Sequence, residues 1–486
     1  TYTLTGPCGY FDGMTTYAIL WPINAEFLES KGSDFGAVEP DSILYNGCYI
    51  LSSLVPAQEV RFDANPNYYD AKNVFVQHVV VTYSDGKDPA QQFNMFVNGE
   101  VTSTTVNQSL PEVVAKAAEL YPDNQYKSMT TATSYWGAFN WDRQMYALYN
   151  DPSVSTTSKT DAQKADTKAA ILNADFRRAV YAAYSAHAVE AITLGEEHAD
   201  GVIRNTLIPY TFQTTSDGRA YGSIVEKYAA ELVADYEGID LNDGHDAWYN
   251  PELAKTFAER AKEELGDSVS EWPIHIDVPV YAASENQKNM QLAMKKSVED
   301  AIDYVVIDLQ FLEGNSSVYY SSFYNQPTGE DNSIDLVFGA GWGPDYGDPL
   351  TYLHCFDVHD GDMLNYSGIN IESQGQSEEQ KAVLETLGLN EVQEIVDQAT
   401  TATGDERIEL FAKAEAMLLT NGILRPYSTS GANITISKVK PFTVAYGLYG
   451  QAAYNQVPYF KYMQLLDEPV TAAEYEAAKE AWMAGK

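Results

Sequence analysis

The chain has 486 residues, with 69 acidic against 30 basic side chains and a formal net charge of −39. That charge repels polyphosphate and anionic headgroups, which excludes nucleic-acid binding and a basic membrane-docking face. Hydrophobic residues at 45% and aromatics at 12% exclude a disordered chain.

Length sets a prior of about three domains, and no apolar run reaches the roughly 18 residues that a membrane span needs. Cys8, Cys48 and Cys355 allow at most one bridge and have no zinc spacing. The first residues, Thr1-Tyr2-Thr3-Leu4-Thr5, alternate like a strand. They carry no initiator Met, basic n-region or apolar h-region, so a leader is expected to have been removed or the chain to begin inside a larger protein.

Residues 1 to about 60 read as short strands and turns, with Tyr45-Asn46-Gly47 as a turn before Tyr49-Ile50-Leu51. The run Asn73–Val81 is apolar on both faces and predicts a buried strand, with His78 as a hydrogen-bonded core histidine. Residues 151–170, rich in Ser, Thr, Asp and Lys, predict a solvated insertion. A helix capped by Asp175 follows, burying Phe176, Val180, Ala183, Tyr184 and His187.

Asn250-Pro251-Glu252 opens a helix with a cap, a first-turn proline and an early acid, and Gly266 ends it. Ile274, Ile276, Val278 and Val280 alternate as a strand. Ser284-x-x-Gln287 caps a helix through Met290, Met294, Val298 and Ile302, and Val305–Leu309 returns as strand. This β-α-β order makes the lobe α/β. Thr403-x-x-Glu406 caps a later helix burying Ile408, Phe411 and Leu418, and the tail from about 471 is an Ala- and Glu-rich helix.

Catalytic constellations are missing. Glu196-Glu197-His198 lacks the second histidine of a zinc helix, no G-x-S-x-G elbow is present, and Gly339-Ala340-Gly341-Trp342-Gly343 lacks the small residues of a pyrophosphate loop. The acidic groups Asp357, His359, Asp360, Asp362 and Asp240, Asn242, Asp243, Asp246 lack calcium-loop spacing and read as solvated loops. What remains is aromatic density: 35 tyrosines, many in loop-like settings such as Ser134-Tyr135-Trp136 and Tyr319-Tyr320, a composition suited to enclosing organic ligands.

The segment Phe338-Gly339-Ala340-Gly341-Trp342-Gly343-Pro344-Asp345-Tyr346-Gly347-Asp348-Pro349 resembles the pocket segment G-W-x-x-D-Y-x-D-P of family 5 solute-binding proteins, the oligopeptide-binding components of ABC importers. Asn46-Gly47-Cys48-Tyr49-Ile50-Leu51, Asn65-Pro66-Asn67-Tyr68-Tyr69-Asp70 and Asp175-Phe176-Arg177-Arg178-Ala179-Val180 also resemble that family's motifs, with Cys48 where proline is usual. The Ami/Ali group of Gram-positive bacteria is similar at Phe139–Gln144, Lys168–Asn173, Lys438–Phe442 and Val470–Tyr475.

The resemblance implies a two-lobed α/β fold of the periplasmic-binding-protein kind (type II, cluster C), lacking part of its N-terminal lobe. It implies lobe I at 1–190, lobe II at 191–435 and a return to lobe I at 436–486. It further implies a non-catalytic monomer without cofactor or metal, which closes on oligopeptides between its lobes and passes them to membrane permease subunits. Such a protein is extracellular, a lipoprotein anchored through a cysteine upstream of Thr1. Asp345 would pair with the peptide's α-ammonium, flanked by Trp342, Gly343 and Tyr346, while Tyr135, Trp136, Phe139 and Asn140 would come from the other lobe. Arg425 is a weaker candidate for a ligand carboxylate. The alternatives are a secreted peptide or glycan hydrolase, or the same fold carrying a non-peptide solute such as an oligosaccharide.

Overall fold

The computed structural model describes residues 2–4, 8–84, 88–443 and 457–485. The chain divides into two compact units: Thr1–Thr131 with Pro344–Gly347 and Gly431–Lys486, and Ala132–Gly343 with Asp348–Ser430. Residues 132–190, expected in the first lobe, thus belong to the second unit. Their strand is the centre of a sheet there, and their helix Ala174–Ala183 packs on Pro251–Leu265.

The first unit carries an antiparallel sheet of Tyr49–Val55, Glu59–Ala64 and His78–Thr82. Ahead of it, among the described residues, stand short helices such as Ala25–Lys31 rather than strands, and Tyr2–Leu4 is not strand. His78–Thr82 is an edge strand with only Val79 buried. The double apolar face of that run is therefore spent on solvent, and His78 is an exposed residue whose Nδ1 lies 2.6 Å from Asp63. A second sheet pairs Ile434–Ser437 with Ser103–Thr105 and Tyr126–Lys127. It covers a small core of Phe93, Phe96, Val106, Val113, Ala117 and Ile436. Helix Ala472–Ala484 opens with a full Thr471/Glu474 capping box, and Tyr475 stacks on Tyr126 at 3.9 Å.

The second unit holds the larger core. Ile274–Tyr281 and Val305–Leu312 are parallel neighbours joined by helix Glu285–Ala301, the expected β-α-β unit. Met294 and Val298 are buried on the helix's inner side, each worth roughly 1.5–3 kcal/mol over an exposed side chain. Asn250 caps Pro251–Leu265 through Leu253 N–H, and Gly266 ends that helix at φ 44°. The Ser284 hydroxyl accepts from Gln287 N–H, whereas Thr403 makes no side-chain cap.

Two local expectations shift. Asn173, not Asp175, caps Ala174–Ala183, and His187 lies on the next helix, Ala186–Leu194, capped by Ser185. The segment 151–170 is no solvated insertion. It holds strand Asp151–Ser155 and a helix, Asp161–Leu172, opened by a Thr160/Gln163 capping box, and it buries Lys159, Asp166 and Thr167.

Candidate functional site

The site is built on an antiparallel sheet of the second unit, in which Ser134–Phe139 lies between Leu336–Trp342 and Leu424–Thr429. Leu336–Trp342 is therefore the outer strand of this sheet, and just before it Asp335 N–H donates to the Asp277 carbonyl of strand Ile274–Tyr281 at 3.1 Å. A bulge falls between Phe338 and Ala340, and Gly339 and Gly341 are exposed. A bulge leaves its extra residue outside the ladder and turns the edge.

Glycines place the aromatic walls. A Cβ on Gly137 would sit 2.5 Å from the Phe338 ring, and one on Gly341 would sit 2.5 Å from Tyr135. Their absence lets both rings lie flat on the sheet. Phe338 then stacks on Tyr184 with centroids 3.8 Å apart, and Tyr427 meets both edge-on. With Tyr135, Gly339, Tyr319, Tyr320 and Phe323, and Met290 and Gln291 from helix Glu285–Ala301, these rings line a cleft of about 200 Å³. Two buried polar atoms on this wall, Tyr184 Oη and Gln291 Oε1, have no hydrogen-bond partner. One residue past wall residue Val189, Glu190 is buried and accepts from the Ser428 hydroxyl; burial pushes its carboxyl up to about 7.

Beneath the sheet sits a buried quartet of charges. Arg143 Nη1 reaches Asp277 at 2.7 Å and Asp335 at 2.8 Å; Lys159 reaches Asp277 at 3.2 Å and also pairs with Asp335. Two cations and two anions cancel, and Gln310 donates to Asp277. The two cations raise the ionised fraction of Asp335, lowering its pKa. Asp335 immediately precedes the edge strand, and its carbonyl accepts from Asn140 N–H at 2.8 Å. The quartet thereby fixes where that strand begins.

The residues expected to meet ligand separate. Tyr135 is half-buried on the cleft, its hydroxyl 3.0 Å from Ser430 Oγ. Trp136, the next residue along the strand, is fully buried and packs near Phe356. Phe139 is fully buried against Tyr181. Asn140 is a buried tie, donating to Asn332 carbonyl and accepting from Asp142 N–H. Trp136, Phe139 and Asn140 thus support the site from within and offer it no face. Nor do they stand across from Trp342: their strand pairs directly with Leu336–Trp342, within one unit. Trp342 is half-buried with its ring edge-on to His354, and Gly343 is buried.

Asp345 and Tyr346 belong to the first unit. Both are half-buried; Tyr17 donates to Asp345 Oδ1, and Tyr346 stacks on Tyr10 at 4.1 Å. Arg425 is buried and pairs with Asp246 at 2.6 Å, an internal carboxylate rather than a ligand's. Asp246 also accepts from Ala186 N–H at a helix start, and Asp243 pairs with Arg204. That acidic loop is thus built into the fold, not merely solvated. Among the described residues, His354, Cys355 and Asp362 place donor atoms within 4.8 Å of one another.

Sequence reading missed Tyr427, Phe323 and Gln291. The period of strand 424–429 and the helical register of Met290 with Met294 were the available signals, but both also describe core.

A family profile described as bacterial extracellular solute-binding proteins, family 5, middle region, matches residues 1–362. The chain belongs to this family. The oligopeptide-binding protein AliB of Streptococcus pneumoniae is 36% identical over all of this chain and 72% of its own length. The oligopeptide-binding protein SarA of Streptococcus gordonii is 32% identical over 99% of this chain and 70% of its own. Among solved structures, OppA of Listeria monocytogenes bound to peptide shares the fold, with a TM-score of 0.63 at 17% identity over 95% of this chain and 72% of that one. The substrate-binding domain of a Bacillus anthracis oligopeptide ABC transporter gives 0.63 at 19% identity, over 95% and 73%. Family membership makes this an extracellular solute-binding protein by class, in line with the motif resemblance around Asp345.

Proposed function

We propose that this protein captures oligopeptides and hands them to an ABC importer, without catalysis. The observation that carries this reading is the bulged strand Leu336–Trp342 at the edge of its sheet, exposed at Gly339 and Gly341, beside an aromatic cleft. An extended peptide added to such an edge gains main-chain hydrogen bonds that are indifferent to sequence, while the cleft accepts one side chain. The family description and the names of AliB and SarA support the same class of solute. The same reading makes the protein a monomer held at the cell surface by a lipid, serving permease subunits in the membrane.

A peptide's α-ammonium loses its hydration when captured and needs an opposite charge. Asp345, with Trp342, Gly343 and Tyr346 beside it in sequence, is the proposed partner; Tyr17 holds one of its oxygens in place. Calorimetric titration with free and N-acetylated hexapeptides tests this. Asp345→Asn is expected to weaken the free peptide at least about tenfold, or 1.4 kcal/mol, and to leave the acetylated one unchanged. Equal losses for both peptides would remove Asp345 from that role. Mass spectrometry after incubation should return every peptide intact; cleaved products would indicate a hydrolase.

A further inference from the structure

We infer that the second unit carries a zinc site formed by His354, Cys355 and Asp362, independent of the peptide-binding reading and beyond the family resemblance, which implies no metal. One ring nitrogen, the cysteine sulfur and one carboxylate oxygen lie within 4.8 Å of one another. Donors around a tetrahedral zinc stand roughly 3.3–3.6 Å apart, given metal–ligand distances of about 2.0–2.3 Å. Side-chain shifts of about 1 Å close the set around an ion.

The backbone brings these donors together. Helix Leu350–Leu353 runs into the turn His354–Phe356, which sets the imidazole and the sulfur on consecutive residues. The chain then doubles back, and Gly361 N–H donates to the Asp357 carbonyl at 3.0 Å. A Cβ on Gly361 would lie 2.5 Å from the Cys355 carbonyl oxygen and 2.6 Å from that of Asp357. A side chain there would forbid the approach, so the glycine lets Asp362, first residue of helix Asp362–Tyr366, return to Cys355.

His354 Nδ1 lies 3.0 Å from the Leu350 carbonyl. A carbonyl only accepts, so Nδ1 carries the ring proton and Nε2 keeps the lone pair that a metal needs. Backbone carbonyls orient ligating histidines in this way. Cys355 is fully buried, while Asp362 is exposed and gives the set its opening to solvent. Sulfur with imidazole disfavours calcium and magnesium, which take oxygen ligands, and suits zinc with water in the fourth position. Binding replaces the thiol proton by the metal, so one proton leaves for each zinc bound. The ion ties the turn at His354 to the start of helix Asp362–Tyr366, beside Trp342, whose ring lies edge-on to His354 at 5.4 Å.

The test is calorimetric titration of the intact, chelator-stripped protein with zinc chloride at pH 7, in two buffers of different ionisation heat. One zinc per chain is expected, with close to one proton released, and a hundredfold excess of calcium or magnesium should not compete. Cobalt in place of zinc should give the visible bands of a tetrahedral ion and a thiolate-to-metal charge-transfer band. Cys355→Ser should abolish that charge-transfer band. Asp362→Asn, a change at an exposed position that leaves the buried sulfur in place, should weaken zinc at least tenfold. His359 and Glu372, exposed and 2.8 Å apart, are the competing place for a cation, so His359→Gln should leave the affinity unchanged. No binding at millimolar zinc, no proton released, a charge-transfer band that survives Cys355→Ser, or an affinity kept in Asp362→Asn and lost in His359→Gln would overturn the inference. Peptide capture would stand in each of those cases.

Discussion

Glu415 lies on helix Gly404–Thr420 and is fully buried; its Oε1 accepts from Leu207 N–H at 2.6 Å and from Ile208 N–H at 3.3 Å. Burial pushes its carboxyl up to about 8 from an ordinary 4.5. The native state therefore holds a proton that the unfolded chain releases. The stability this contributes is complete below pH 4.5 and is lost as pH rises through 8, on the order of 4 kcal/mol at the upper end. Glu190, raised to about 7, adds a decline of the same sign over a narrower window. Urea unfolding at pH 5 and pH 8 should show this fall. Glu415→Gln keeps the acceptor for both amides and cannot ionise, so its fall should be smaller and the variant more stable than the parent at pH 8. An unchanged pH slope would mean that Glu415 is already ionised in the fold.

At the scale of elements, the site depends on rings lying flat on bare backbone. Gly137→Ala would drive a methyl into the Phe338 ring, which has Tyr184 stacked on it at 3.8 Å and little room to yield. Overpacking of this kind costs roughly 1–3 kcal/mol, and thermal melting should register it together with weaker peptide binding. Melting at the parental temperature would show that the stack gives way freely. Elements with strong periodic patterns were legible in sequence: the Asn250 cap, the Gly266 stop and the β-α-β run all follow from local chemistry. Less legible were places where the same residues serve two environments. Asn73–Val81 carries the apolar content of a buried strand yet ends on a sheet edge. Lys159 stands in a stretch that reads as solvated and is instead buried between Asp277 and Asp335, residues more than a hundred positions away. Burial of charge is decided by distant partners, which no local window contains. Within the candidate site, strand alternation could have separated Tyr135 from Trp136, but it could not show that Phe139 and Asn140 are also enclosed.

For the whole molecule, the division into units is discontinuous in sequence: four residues, Pro344–Gly347, belong with the first unit inside a stretch of the second. No composition shift marks that step, which is why a boundary near 190 looked natural. The net charge of −39 acts at this scale as well. A negative field raises the local concentration of cationic guests and is screened by salt, so association with lysine-rich peptides should slow as ionic strength rises while neutral peptides change little.

The measurement that bears most directly on the account is native mass spectrometry of the protein mixed with a defined hexapeptide library. Bound complexes of one protein with one peptide, each releasing its guest uncut on dissociation, are the predicted result. Bare protein throughout, at library concentrations in excess of the protein, would contradict it.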